Sequence, residues 1–323
     1  MKKTREEFIH AMKQQTIGCE IEMAEITRRR AAEIVAEHFG TEGSVRYIGA
    51  GYATWSALDN QGRRWLVQKD VSIHACDDDH KAELVTPILR YEDIPDLQEI
   101  VRKLRKAGAK SDPNHGCGVH IHIGAADHTA TSLRNLANIM AAHEDLLIQA
   151  IHIDRSRTVN YCATVNPAFL AEVNRKKPTT MDALAKIWYD TQRDYCHRST
   201  DHYHSSRYHQ LNYHATFTKG TIEFRLFQFD NPHGTSKGGL HAGKIKAYIQ
   251  LALALSQAAK EAKSASPRKQ TTDNPKYAMR CWLLRLGFIG EEFATARDLL
   301  TRKLDGDAAF RHGRPARAAA TAA

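Results

Sequence analysis

No apolar run in this 323-residue chain is long enough to cross a membrane, which takes about 20 consecutive apolar residues. The opening residues, Met1 to Glu7, are charged and lead into no apolar segment, so no secretory leader is expected and a cytoplasmic location is. The six cysteines, Cys19, Cys76, Cys117, Cys162, Cys196 and Cys281, include no CxxC pair. That spacing excludes a zinc ribbon or a thioredoxin-type motif, and in a reducing compartment free thiols are expected. There is no helix–turn–helix pattern, RNP motif or zinc finger. The net charge of +9 favours anionic ligands, but the basic residues are spread along the chain, so no nucleic-acid partner is expected. Walker A and GxGxxG loops are missing too, so any nucleotide has to be held by metals and basic side chains. No internal repeat is present.

What the chain does contain is one pattern used three times. In Gly116–Cys117–Gly118–Val119–His120–Ile121–His122–Ile123–Gly124 two histidines sit two residues apart among β-branched residues. Side chains alternate along a strand, so His120 and His122 share one face and the valine and isoleucines take the other. Gly18–Cys19–Glu20–Ile21–Glu22–Met23 pairs two carboxylates in the same way, and Thr221–Ile222–Glu223–Phe224–Arg225–Leu226–Phe227 pairs a carboxylate with a guanidinium. Three such strands predict a sheet with one face lined by Glu, His and Arg. Cys19 and Cys117 adjoin these strands out of phase with the charged residues, which argues against nucleophiles.

In chain order, a short helix is expected over Thr4–Gln14, a strand over Thr16–Ala24, and a helix over Thr27–Phe39 that Thr27 caps and Gly40 ends. Tyr52–Leu58 and Arg63–Lys69 flank the turn Asp59–Asn60–Gln61–Gly62 as a hairpin. Glu83–Leu89 reads as a strand stopping near Pro87, and Ile94–Ala107 as an amphipathic helix leading to the HxH strand. Helices follow over Ser132–Ile151 and Lys244–Lys263, with a strand over Thr221–Phe229 and an irregular Arg155–His214 between them. Strands and helices do not alternate strictly, so the expected class is α+β, a mostly antiparallel sheet packed by helices. The expected organisation is a catalytic domain over 1–263, a linker over 264–276, a helical extension over 277–310 and a disordered tail over 311–323.

Carboxylates from separate strands together with histidine suit Mg²⁺ or Mn²⁺, which prefer oxygen ligands. Arg225 beside Glu223 is a planar fork for a carboxylate or phosphate. A metal-lined sheet with an arginine clamp is what nucleotide-dependent group transfer requires.

The ordered set of Gly18–Glu22, Glu83–Leu89, Gly116–Ile123, Arg207–Tyr208 with Leu211–Asn212, and Thr221–Arg225 resembles the amidoligase family, a branch of the carboxylate–amine ligases with the glutamine synthetase and glutamate–cysteine ligase fold. The resemblance runs from about Thr16 to Gln257. It implies a glutamine synthetase-like catalytic domain with a metal- and ATP-binding face, joining a carboxylate substrate to an amine acceptor (an amino acid, peptide or protein) through an acyl phosphate. By similarity, Glu20, Glu22, Glu83, His120 and Glu223 would hold the Mg²⁺ ions. His122 and Arg207 would contact the ATP phosphates, and Arg225 would steady the substrate carboxylate or the transferred phosphoryl group. Lys69–Asp70–Val71–Ser72 departs from the Asp–Gly–Ser that relatives tend to show there.

Two other readings stay open. A zinc hydrolase could use the HxH strand to activate water, and a catalytically inactive binding protein could use the basic surface. The His197, His202, His204, His209 and His214 spacing matches no zinc signature and reads as a polar loop. Trp55, Trp65, Trp188 and Trp282 read as core residues rather than a base-stacking platform.

Overall fold

Alternation builds the centre of the fold. In β1 (Ile17–Met23) the odd positions are buried apolar residues, which turns Gly18, Glu20 and Glu22 to the opposite face. β5 (Ala82–Val85) and β6 (Val119–Gly124) flank it antiparallel. The structure, a computed structural model, describes residues 4–49, 51–192, 194, 196–230, 239–269 and 271–312. The Gly- and His-rich segment after Asp230 and the tail expected to be disordered lie largely outside these residues.

Outward from this centre run β4 (Arg64–Gln68), β3 (Thr54–Leu58) and β2 (Arg46–Gly49) on one side, and β8 (Thr221–Phe227) and β7 (Leu211–Asn212) on the other. Among the described residues the sheet has 8 strands in the order β2-β3-β4-β5-β1-β6-β8-β7, and every named pair is antiparallel. The fold is therefore the mixed helical and antiparallel architecture that the sequence predicts. β5 ends at Val85, stopping near Pro87 as the sequence predicts; Thr86 N–H still donates to the Cys19 carbonyl, and Leu89 rejoins as an isolated bridge to Ile17. β8 ends at Phe227, short of the expected Phe229.

Helices cover the apolar face. α2 (Arg28–Phe39) packs on β3, β4 and β5, with Thr27 as its N-cap and Gly40 as its left-handed C-cap. α9 (Ala242–Glu261), almost wholly buried, crosses β6. Against α9 lie α1 (Arg5–Lys13), α3 (Ile94–Lys106), α4 (Ala130–Ile151) and the last helix, α11 (Ala294–Thr301). α3 buries Ile94, Leu97, Ile100, Val101 and Leu104, the stripe read from its spacing. The irregular Arg155–His214 region holds the helical piece expected near Met181–Asp190 as α7 (Met181–Asp190), and two helices that the sequence does not predict, α5 (Arg155–Asn160) and α6 (Pro167–Lys176). α8 (His214–Lys219) leads into β8, and α10 (Pro275–Arg285) precedes α11. No helix among the described residues is long and apolar enough to cross a membrane. Trp65, Trp188 and Trp282 are buried, and Trp55 packs against the core.

Candidate active site

The strand register sets the charged residues in rows. Glu20 pairs with His120, Glu22 with Glu83, His122 with Glu223, Glu223 with Asn212, and Gln68 with Glu83. On β1 and β6 they rise from the face opposite the core residues Ile21, Val119, Ile121 and Ile123, and most are buried.

The resulting contacts are dense. His120 Nδ1 lies 3.0 Å from Glu20 Oε2 and 3.7 Å from Glu223 Oε1, and its Nε2 lies 3.6 Å from Glu22 Oε1. Arg225 donates to Glu223 Oε1 at 2.6 Å, and Asn212 donates to Glu223 Oε2 at 2.7 Å. Gln68 donates to Glu83 at 2.6 Å, and the Gly118 backbone N–H donates to Glu22 at 2.6 Å. His122 Nδ1 is held by the Thr221 hydroxyl at 2.9 Å. Its Nε2, buried, lies 3.2 Å from Glu20 Oε1 but makes no aligned hydrogen bond. Burial would lower the pKa of this ring, but Glu20 and then Glu223 raise it.

Three overlapping groups have ligand atoms within 4.8 Å of one another: Glu20–Glu83–His120, Glu20–His122–Glu223 and Glu22–Asp70–Glu83. Glu20 belongs to two and Glu83 to two. The electrostatics fit cation binding. Burial, then the nearby Glu20, Glu22 and Asp70, push the Glu83 carboxyl well above its ordinary value. Burial would raise Glu223 as well, but Arg225 and then His122 outweigh it and hold it at about 2. Glu20 is likewise held well below its ordinary value against burial, by His122 and His120. The donors are mostly carboxylate oxygens with two imidazoles, a set suited to hard divalent cations, and one carboxylate is left without a counter-charge.

Of the residues singled out in the sequence, the structure brings Glu20, Glu22, Glu83, His120, His122, Glu223 and Arg225 together. Arg207 stands at the rim. It donates to the His202 carbonyl at 3.1 Å, and its guanidinium lies 5.7 Å from the Tyr208 ring, which Arg225 approaches to 5.8 Å. The two arginines thus share one aromatic neighbour. Among the described residues His120 and His122 do not fall in one ligand group, as a zinc hydrolase built on HxH would need.

Sequence reasoning missed Asp70, Gln68, Lys219 and Arg157. Asp70 and Gln68 carried a usable signal: Trp65 and Val67 face the core, so positions 68 and 70 continue the opposite face. Lys219, 3.9 Å from Glu20, ends α8, a short helix with no periodic pattern. Arg157 had no signal. It is buried and donates to the Arg225 carbonyl at 3.1 Å, where β8 bulges: Val119 pairs with Phe227 but Ile121 with Phe224. The bulge falls just beyond Glu223, a frequent device beside active sites. Cys19 and Cys117 are buried, and burial pushes both thiols up, which suits packing rather than attack.

The sequence profile of the family described as "Putative amidoligase enzyme" matches residues 13–256. No curated protein matches the chain. Among solved structures, a bifunctional glutathione synthetase from Pasteurella multocida aligns at 13% identity and a TM-score of 0.40, over 93% of this chain and 48% of its own. This chain thus spans about half the length of that one.

Proposed function

This chain belongs to the amidoligase family, enzymes that join a carboxylate to an amine, and on that premise we propose that it is an ATP-dependent ligase working through an acyl phosphate. The observation that carries the reading is the shared-ligand cluster: five carboxylates and two histidines in overlapping groups on one sheet face. Such a cluster repels itself unless cations neutralise it.

Glu20, Glu22, Glu83, Asp70, His120 and Glu223 are the proposed Mg²⁺ ligands. Bound Mg²⁺ would supply positive charge to offset the negative charge that develops during phosphoryl transfer. A cleft of about 400 Å³ beside Glu20 and His122, lined also by Gly18, Pro87, Ala125 and Lys219, is the proposed seat of the nucleoside. Lys219 and His122 would face its phosphates. A substrate carboxylate oxygen attacks the γ-phosphorus and the bond to ADP breaks. The amine nitrogen then attacks the acyl carbon, phosphate leaves with the bonding pair, and the nitrogen loses its proton. Arg225, fixed by Glu223, is placed to hold the carboxylate and then the acyl phosphate, with Arg207 at the entrance. In fold terms the reading makes the sheet a glutamine synthetase-like catalytic face.

The test is Mg²⁺-dependent ADP release from ATP with and without pools of amino acids and peptides. The expected result is release that rises with one pool and falls at least about 10³-fold in Glu223→Ala, with the fold retained. ATP turnover absent from every pool, with a stoichiometric zinc ion in the purified protein, would overturn it.

A further inference from the structure

Far along α4 from the strand β6 that precedes it, the C-terminal part of the chain closes a second cavity. It holds about 320 Å³ between α4 and α10, within the range of small-molecule sites. It adjoins a groove of about 760 Å³ lined by Ala265, Ser266, Arg268 and Lys269, and Ala142, His143, Thr271 and Arg311 line both. Only the α4 wall lies inside the family match; the rest is built from residues beyond 256.

The walls have a consistent chemistry. His143 stacks on Trp282 at 3.9 Å between ring centroids and 7° between planes, and Tyr277 and Leu146 add flat apolar surface. His143 Nδ1 lies 2.8 Å from the Ile139 carbonyl, which can only accept, so Nδ1 carries the proton. Burial depresses the affinity of this ring for a second proton, which keeps it neutral. Arg268, Arg285 and Arg311 edge the space, and among the described residues none of them has an ion-pair partner. The nearest carboxylates on α4, Glu144 and Asp145, are both taken by Lys269, at 3.2 and 2.8 Å.

The cavity is held in shape. The buried Asn274 caps α10 by accepting from the Tyr277 N–H, and it donates to the Phe310 and Arg311 carbonyls at 2.8 and 3.2 Å, which fixes the backbone of Arg311. On the other side, Asn135 and Asn138 of α4 donate to the Ala262 and Ala265 carbonyls and strap the connecting segment down.

We propose that this cavity is a binding site for a planar aromatic anion, with the ring against the His143–Trp282 stack and Tyr277, and the negative charge toward Arg285 and Arg311. Flat rings and unpaired guanidinium groups together select for both features of such a ligand. The site is separate from the carboxylate cluster and does not depend on the ligase reading.

Cys281 lies in the wall and reports occupancy directly. The experiment is the rate of its alkylation by iodoacetamide, read by peptide mass spectrometry, with 1-naphthoate as probe and equilibrium dialysis of the same probe in parallel. The expected result is slowing of about fivefold or more at Cys281, with no change at the exposed Cys76 and Cys196. The neutral 1-naphthalenemethanol and inorganic phosphate alone should protect poorly. Arg285→Gln combined with Arg311→Gln should weaken 1-naphthoate binding about tenfold or more at an unchanged Tm, and Glu223→Ala should not change it. The proposal is overturned by no binding in dialysis, by equal protection from the neutral analogue or phosphate, or by full affinity in the double arginine variant.

Discussion

Glu83 is the carboxylate with the least compensation. It faces Glu22 across the ladder, with Asp70 and Glu20 close by, and among the described residues its side chain accepts a hydrogen bond from Gln68. A carboxyl whose folded value is raised is destabilising once ionised, so metal-free protein loses stability as pH rises above the ordinary carboxylate range. Glu83→Gln keeps the acceptor for Gln68 and removes the charge. The expected outcome is metal-free protein more stable by about 1 kcal/mol at neutral pH, with stabilisation by Mg²⁺ lost. Thermal melts with and without Mg²⁺ measure both, and a variant that Mg²⁺ stabilises as well as wild type would remove Glu83 from the ligands. Gly118 makes a second residue-scale case. A Cβ there would sit 2.2 Å from the Arg157 guanidinium, which is 3% exposed and tied to the β8 carbonyls. Gly118→Ala should displace Arg157, cost about 2 kcal/mol in urea unfolding and disturb the bulge that carries Arg225. A ΔΔG below about 0.5 kcal/mol would show that Arg157 yields freely.

The elements were legible where burial is one-sided. β1, β6 and β8 alternate because one face meets the core and the other carries charged and polar side chains. α3 and the Thr27–Gly40 boundaries of α2 follow from periodicity and capping. β2 was not legible, because as an exposed edge strand its residues show no alternation and its ladder comes from β3. α6 begins with an Asn166–Pro167 start signal, but it lies among short segments packed by tertiary contacts rather than by a repeating stripe. The site residues read from same-strand pairs converge; Arg157 and Lys219 arrive from short helices by topology alone, which spacing cannot reveal. Topology also buries His128, bonded to Ser132 at 3.0 Å and to Ser256 of α9 at 2.9 Å, which joins α4 to α9. Burial, then Lys260, lowers its pKa to about 4. The neutral form is therefore favoured in the fold. Its contribution is complete above the unfolded value near 6.5 and is lost as pH falls toward about 4. Urea unfolding between pH 7 and pH 4 should show wild type losing up to about 3 kcal/mol more than His128→Asn. His214, also lowered to about 4, leaves a residual slope in the variant. Equal slopes would mean that His128 protonates freely.

At the scale of the whole molecule, the question is whether the segment beyond the family match is an appendage. The sequence suggested an extension joined by a linker, because 264–276 is polar and aperiodic. In the structure Ala265 of that segment accepts from Asn138 of α4, and α10, α11 and the turn just before α11 add Met279, Leu283, Phe293, Leu299 and Leu300 to the same apolar cluster that backs β1, β6 and β8. Phe288 and Leu304, from the turns around them, join the same cluster. α11 lies on α9, and α9 in turn lies on β6, so the terminal helices support the HxH strand from behind. Fully burying a large apolar side chain stabilises by about 1.5–3 kcal/mol. The terminal helices therefore contribute gross burial of about 10 kcal/mol, comparable with the net stability of about 5–15 kcal/mol of a typical domain. A chain ending at Lys263 would also expose the α9 and α4 surfaces they cover. The expected outcome is that this truncated chain does not fold cooperatively: circular dichroism should show no sharp melt, and ANS should bind strongly. A soluble truncated protein with a cooperative melt and retained Mg²⁺ stabilisation would show instead that residues 1–263 form a self-sufficient unit, with the C-terminal helices added outside it.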